Sequence, residues 1–163
     1  MISIEKFEEF IFSDLVYEQK IISVIDSQGR QIFLDSVNDM FNHRFCTIKI
    51  EQMEKYNRDI FHYCKLLAKQ HNHDGPVTCH LFKAFENSAS FGLHTDPDTV
   101  IIHCAHGQKN MMVDGIEHIL FPGDELLIPA NTPHEAINKH ESLMLSFGLE
   151  KFYVDKLWIG CFI

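Results

Sequence analysis

No hydrophobic run in this 163-residue chain approaches the roughly 18 residues that a membrane-spanning helix needs. Positive charge is also scarce. Fourteen Lys and Arg stand against 23 Asp and Glu, and the net charge of −9 opposes non-specific binding to nucleic acid or to an anionic membrane. Neither is an expected partner. No CxxC pair occurs among Cys46, Cys64, Cys79, Cys104 and Cys161, and their number is odd. Scattered cysteines of this kind read as mostly buried thiols of a reduced protein. At the N-terminus Glu8 and Glu9 follow Lys6 almost at once, so no signal peptide is expected there. A cytoplasmic location is therefore expected. Linkers, internal repeats and low-complexity tracts are missing too, and the length suits one ordinary domain. The expected division of 1–163 is a lead-in over 1–76, a barrel core over 77–150 and a C-terminal segment over 151–163.

What is present is the balance of a soluble globular protein, 45 % hydrophobic and 23 % charged. Its front half reads as helix-rich. Ile4, Phe7, Phe10 and Ile11 recur at helical spacing between glutamates. Strands over Ile21 to Ile25 and Gln31 to Leu34 flank the turn Asp26-Ser27-Gln28-Gly29-Arg30. A short helix is expected over Ser36 to Phe41 and a short strand over Arg44 to Ile50. One long amphipathic helix is expected from about Glu51 to Gln70, with Met53, Tyr56, Ile60, Tyr63, Cys64 and Leu67 on its buried stripe. The breakers from His71 to Pro76 end it.

From Val77 onward the texture changes to short strands with sharp turns. Strands are expected over Val77 to Phe85, Thr99 to Cys104, Lys109 to Val113, Ile116 to Phe121, Glu125 to Ile128 and Leu143 to Leu149. Asp114-Gly115 between two of them is a strong hairpin signal. The predicted fold class is mainly β with flanking helices, a sandwich or barrel preceded by a helix-rich N-terminal part.

Eleven histidines is a high count for this length, and most need no special role. His94-Thr95-Asp96 stands out, because residues two apart in an extended segment share a face and can reach one ion. His134, in Pro133-His134-Glu135, is the natural third ligand. Two imidazoles and one carboxylate leave coordination positions free, an arrangement suited to mononuclear Fe(II) and oxygen chemistry. An HxD pair alone is a weak signal.

Its context is stronger. Gly123, Pro129, His134 and Asn138, with Asn131 at a glycine position, resemble the second conserved motif of the cupin superfamily, and Asn tolerates the left-handed backbone that glycine would take there. The usual first motif, HxH followed by Glu, is replaced by His94-x-Asp96. That departure makes the stretch from Ser90 to Val100 look like the HxD strand and loop of the JmjC-type branch, the Fe(II)- and 2-oxoglutarate-dependent oxygenases. The likeness spans about Leu81 to Leu149.

The resemblance implies a double-stranded β-helix, or cupin jelly roll, with Fe(II) on His94, Asp96 and His134 and 2-oxoglutarate as cosubstrate. It also implies that Lys109, fifteen residues beyond His94, pairs with the distal carboxylate of 2-oxoglutarate. Asn138 and Ser90 are further cosubstrate candidates, Ser90 or Ser88 because Phe91 stands where a Thr is common in the family. Ser146 is a candidate for supporting the metal ligands. Few other cations are expected near Lys109. The implied reaction couples decarboxylation of 2-oxoglutarate to hydroxylation of a protein or peptide side chain or a small molecule. The chain ends soon after the barrel, without the helical extension that larger relatives use for dimerisation and substrate binding, and a homodimer stays open. Two alternatives stand beside this reading: a metal cupin that works without 2-oxoglutarate, as a dioxygenase or isomerase, and a non-catalytic ligand-binding cupin module. His103 and His106 read as structural, and His71, His73 and Asp74 as a solvated loop.

Overall fold

Serine hydroxyls start the helices of the lead-in. In the computed structural model, which describes residues 2–151, Ser3 caps α1 (Ile4–Ile11) by accepting from the Lys6 N–H. Phe7 and Ile11 are the buried side of that helix. Ser36 caps α3 (Val37–Asn42) in the same way. Between them lies α2 (Asp14–Glu18), capped by Ser13, which the periodicity did not announce because five residues make little more than one turn.

The long helix expected over Glu51 to Gln70 is two helices. Met53–Tyr56 forms α4 and Arg58–Gln70 forms α5. Asn57 breaks the path with an extended backbone, φ −128° and ψ 118°, and its side chain accepts from the Asp59 and Ile60 N–H groups. An asparagine that competes for backbone donors favours a cap over a helix interior. The stripe continues across the break, so period alone does not reveal it.

Among the described residues, ten strands follow the expected order with one addition. They are β1 (Ile22–Ile25), β2 (Gln31–Phe33), β3 (Thr47–Ile50), β4 (Val77–Ala84), β5 (Thr99–Gly107), β6 (Lys109–Val113), β7 (Ile116–Leu120), β8 (Glu125–Ile128), β9 (His134–Ile137) and β10 (Ser142–Leu149). The unexpected one is β9, four residues hidden behind Pro133. The strands form a seven-stranded sheet, β2-β1-β3-β4-β10-β5-β8, and a three-stranded sheet, β7-β6-β9. Every pairing is antiparallel. The first three strands thus extend the barrel sheet, and the lead-in and the barrel core share one sheet. Of the expected segment 151–163, all but Lys151 lies outside the described residues.

The large sheet is buried on both faces. One face packs on the helices through residues such as Ile22, Ile50, Leu81, Leu145 and Phe147, with Phe7, Ile60 and Leu67 opposite. The other meets the small sheet, where Val100, Ile102, Cys104, Ile128 and Met144 pack against Met111 and Leu120. Tyr63 on α5 donates to Glu125 of β8, and the same carboxylate holds His103 Nδ1 at 3.1 Å. Burial and that carboxylate push the Tyr63 hydroxyl up to about 12. His103 therefore staples helix to sheet on the face away from Val100 and Ile102.

The hairpin at Asp114-Gly115 has φ of 49° and 79°, the left-handed pair that lets two residues join twisted strands. Asn131 has φ 61° and Gly123 φ 97°, as their places in the motif require. No described helix is long and apolar enough to cross a membrane.

Candidate metal centre

Strand alternation builds the site. Successive side chains of a strand point to opposite faces, so each strand of the large sheet sends one set to the helices and the other inward. On β4, Val77, Cys79 and Leu81 go to the helical side, which leaves His80 and Phe82 facing in. On β10, Met144 and Ser146 face in. Thr47 and Lys49 come from β3, Val100 and Ile102 from β5, Lys109 and Met111 from β6. From β9 come His134 and Ala136, with Asn138 just beyond. With the loop carrying Ser90, Phe91, His94 and Asp96 they enclose a cavity of about 430 Å³.

His94, Asp96 and His134 converge at this cavity, with candidate ligand atoms all within 4.8 Å of one another. The backbone fixes their approach. The His94 N–H donates to the His134 carbonyl at 3.0 Å, and the His134 N–H returns the bond at 2.8 Å. The Asn131 N–H donates to the Asp96 carbonyl at 2.7 Å, so the left-handed bend before His134 also anchors the HxD loop.

Hydrogen bonding decides which ring nitrogens are free. His94 Nδ1 lies 2.8 Å from the Gly92 carbonyl, and His134 Nδ1 lies 2.9 Å from the Thr132 carbonyl. A carbonyl only accepts, so each Nδ1 carries a proton and each neutral ring presents a bare Nε2. Metal-binding histidines are oriented in this way. The consequence shows at His134, whose Nε2 lies 3.3 Å from Asp96 Oδ2. Two lone pairs at that distance repel unless a cation, a proton or a metal ion, stands between them. Two bare nitrogens and a carboxylate make a metal ion a chemically suited occupant.

The other pole of the cavity suits an anion. Lys109 is 2 % exposed, and among the described residues no carboxylate pairs with it. Its partner is Asn138 Oδ1 at 2.6 Å. Burial pushes the ammonium down to about 8, because a charge without a counter-charge is costly in a dry site. Asn138 is itself fixed, donating from Nδ2 to Thr47 Oγ1 at 3.2 Å and to the Ser88 carbonyl at 3.0 Å. Thr47 in turn donates to the Ala89 carbonyl at 2.6 Å.

His94, Asp96, His134, Lys109, Asn138, Ser90 and Ser146 all line the one cavity. Ser90 does not join Lys109; its hydroxyl accepts from the Gly92 N–H at 3.4 Å. The threonine beside the Lys109–Asn138 pair is Thr47, more than forty residues upstream. A second correction concerns charge. Lys49 shares the cavity, salt-bridged to Glu51 at 2.7 Å and lying 5.9 and 5.5 Å from the ring centres of Phe82 and Phe91. Thr47, Lys49, His80 and Phe82 were all missed in the sequence. The available signal was the alternation in Thr47-Ile48-Lys49-Ile50 and in Val77 to Phe82, which marks strands with one apolar and one polar face.

The two sheets and their open cluster of two histidines and a carboxylate define a cupin barrel with a candidate metal centre. Residues 82–149 match the family model of the cupin domain. No curated protein matches the chain in sequence. Among solved structures, YcfD, a ribosomal oxygenase from Escherichia coli, superposes with a TM-score of 0.68 at 16 % identity, covering 96 % of this chain and 45 % of that one. The same protein in complex with cobalt and 2-oxoglutarate gives 0.69 at 15 % identity, covering 96 % and 46 %. KdgF from Halomonas sp. gives 0.43 at 21 % identity, over 48 % of this chain and 74 % of that one. The likeness to YcfD is one of fold, and the chain spans less than half of its length.

Proposed function

We propose that this chain is an Fe(II)- and 2-oxoglutarate-dependent oxygenase that hydroxylates a protein or peptide side chain or a small molecule. The observation that carries the reading is the pairing of two poles in one cavity. At one, the Nδ1–H bonds to the Gly92 and Thr132 carbonyls leave two bare imidazole nitrogens converging with Asp96. At the other, Lys109 is buried without a carboxylate partner among the described residues. A dicarboxylate bound between them satisfies both.

His94, Asp96 and His134 would hold the metal, and three protein ligands leave room for small molecules beside it. Iron bound there would supply dioxygen activation, with 2-oxoglutarate as the electron donor. The chain's own residues bind and orient. Lys109 makes charge-assisted hydrogen bonds to the distal carboxylate, worth about 1.5–3 kcal/mol. Asn138, held by Thr47 and Ser88, keeps the lysine aimed. Phe82, Met111, Ile102 and Met144 line the cavity with apolar surface, which excludes water and strengthens those bonds. The shared fold with a protein solved with cobalt and 2-oxoglutarate supports this choice of ligands.

The test is an anaerobic titration of 2-oxoglutarate into the iron-loaded protein, followed by assay of succinate once air is admitted. A metal-to-ligand charge-transfer band and succinate formation are the expected results. Iron binding without the band would favour a cupin enzyme independent of 2-oxoglutarate, and a band without succinate a binding module. Either would overturn the proposal.

A further inference from the structure

The metal and anion poles leave two polar side chains of the cavity unexplained, His80 and Ser146. His80 sits on the inner face of β4, directly opposite Ser146 on β10, and both line the cavity. Its Nδ1 is sealed from solvent and has no hydrogen-bond partner among the described residues. Nε2 has none there either, and it is the nitrogen left open.

Which nitrogen carries the proton follows from that asymmetry. Burial, and after it the charge of Lys49, lowers the pKa of the ring, with Glu51 and Asp96 acting the other way, so the imidazole is neutral. An orphaned buried N–H is rarer in proteins than an under-used acceptor. The sealed Nδ1 therefore keeps the lone pair, and the open Nε2 carries the hydrogen. His80 becomes a donor facing space that no acceptor of the described residues fills. The charges around it point the same way. Lys49 and Lys109 line this cavity, and the one carboxylate among its lining residues, Asp96, is committed to the metal cluster.

We propose that His80 donates from Nε2 to an acceptor oxygen of the substrate, a carbonyl or a carboxylate, so that the cavity takes oxygen-bearing groups and rejects amines. Calling that ligand the substrate rests on the oxygenase reading; the donor role of His80 does not. Ser146, beside His80 on the same face, offers a hydroxyl to the same group.

The experiment follows the His80 ring in the full chain by long-range 1H–15N correlation, first metal-free and then with Zn(II) and 2-oxoglutarate. The expected spectrum places the proton on Nε2. Three probes of equal length, butyramide, butyrate and butylamine, are then titrated. The expected result is that butyramide, butyrate or both shift the His80 Nε2 signal, with at least tenfold tighter binding than butylamine. Their relative strength says whether the acceptor is a neutral carbonyl or a carboxylate. His80→Gln, which keeps an N–H donor, retains the preference, and His80→Leu loses it. A proton on Nδ1, an equal response to butylamine, or unchanged probe binding in His80→Leu would each overturn the proposal. Calorimetry of Zn(II) and 2-oxoglutarate on the wild type reports separately on the oxygenase reading. If neither binds, that reading falls, while the metal-free titration still decides the role of His80.

Discussion

His134 Nε2 and Asp96 Oδ2 stand 3.3 Å apart, a spacing at which a cation between them, a proton or a metal ion, holds the two together. Their backbones leave little choice, since both flank the mutual His94–His134 hydrogen bonds and the Asn131–Asp96 contact. Asp96→Ala removes the cluster's one carboxylate. Iron content should therefore fall at least tenfold at equal free metal, while the metal-free protein keeps its fold. Metal analysis and circular dichroism check both parts, and unchanged iron would remove Asp96 from the site. Lys109→Ala acts at the other pole. Loss of a buried charge-assisted contact of about 1.5–3 kcal/mol weakens 2-oxoglutarate binding roughly tenfold to a hundredfold, with iron affinity nearly unchanged. A pH profile tests the same group without mutation. With no anion bound, Lys109 is charged below about pH 8 and neutral above it. The affinity for 2-oxoglutarate should hold below about 8 and fall above it, by up to about tenfold per unit. Stability of the ligand-free protein runs the opposite way. The folded pKa lies below the ordinary 10.5, so the unfolded chain binds the proton more tightly between those values, and stability rises with pH across that window.

At the scale of elements, the turns between strands hold the inner faces in register. Gly107 joins β5 to β6 with φ +73°, and a Cβ there would lie 2.1 Å from the Glu141 carbonyl oxygen. Gly123 has φ +97° but nothing within 4 Å of an added Cβ. The two positions therefore separate strain from collision. Gly123→Val should cost only the unfavourable backbone of a β-branched residue, about 1–3 kcal/mol. Gly107→Ala adds a clash with backbone that has to move, so it should cost more, although alanine is smaller. It should also lower 2-oxoglutarate affinity, because Lys109 follows two residues later. Urea melts of both variants give the comparison. Equal losses would mean that the β5–β6 turn relaxes freely and does not hold Lys109.

Across the whole molecule, the mutual His94–His134 backbone bonds tie the loop between β4 and β5 to the small sheet, and an ion held by His94, Asp96 and His134 would strengthen that tie. A metal that binds only the folded state stabilises it by mass action, about 2.7 kcal/mol at a hundredfold excess over Kd. For a domain of this size each kcal/mol moves Tm by about 2–4 °C. Loading with Co(II) or Zn(II) should therefore raise Tm by roughly 5–10 °C over the chelator-treated protein, and Asp96→Ala should lose most of that gain. Calorimetry in both states is the check. Equal melting temperatures would mean that the cluster holds no ion.

The sequence alone was enough to mark His94, Asp96 and His134 as a candidate cluster, which the fold brings together, and to place the hairpin at Asp114-Gly115 and most strands, because each rests on local chemistry. HxD spacing puts two side chains on one face, Asn131 and Gly123 accept positive φ, and β-period alternation survives in short segments. It did not determine the break at Asn57, since the apolar stripe of α4 runs on into α5 and the competing cap is a single side chain. Nor did it reveal β9, where four residues after a proline carry too little pattern. The content of the cavity was decided by tertiary structure alone. Thr47 and Lys49 lie on a strand of the lead-in, and only the pairing of β3 with β4 carries them onto the inner face beside His80 and Phe82. That pairing joins residues more than thirty positions apart, Ile48 with Lys83 for example. Period within a strand says which residues share a face. Only the packed sheets say what that face looks upon.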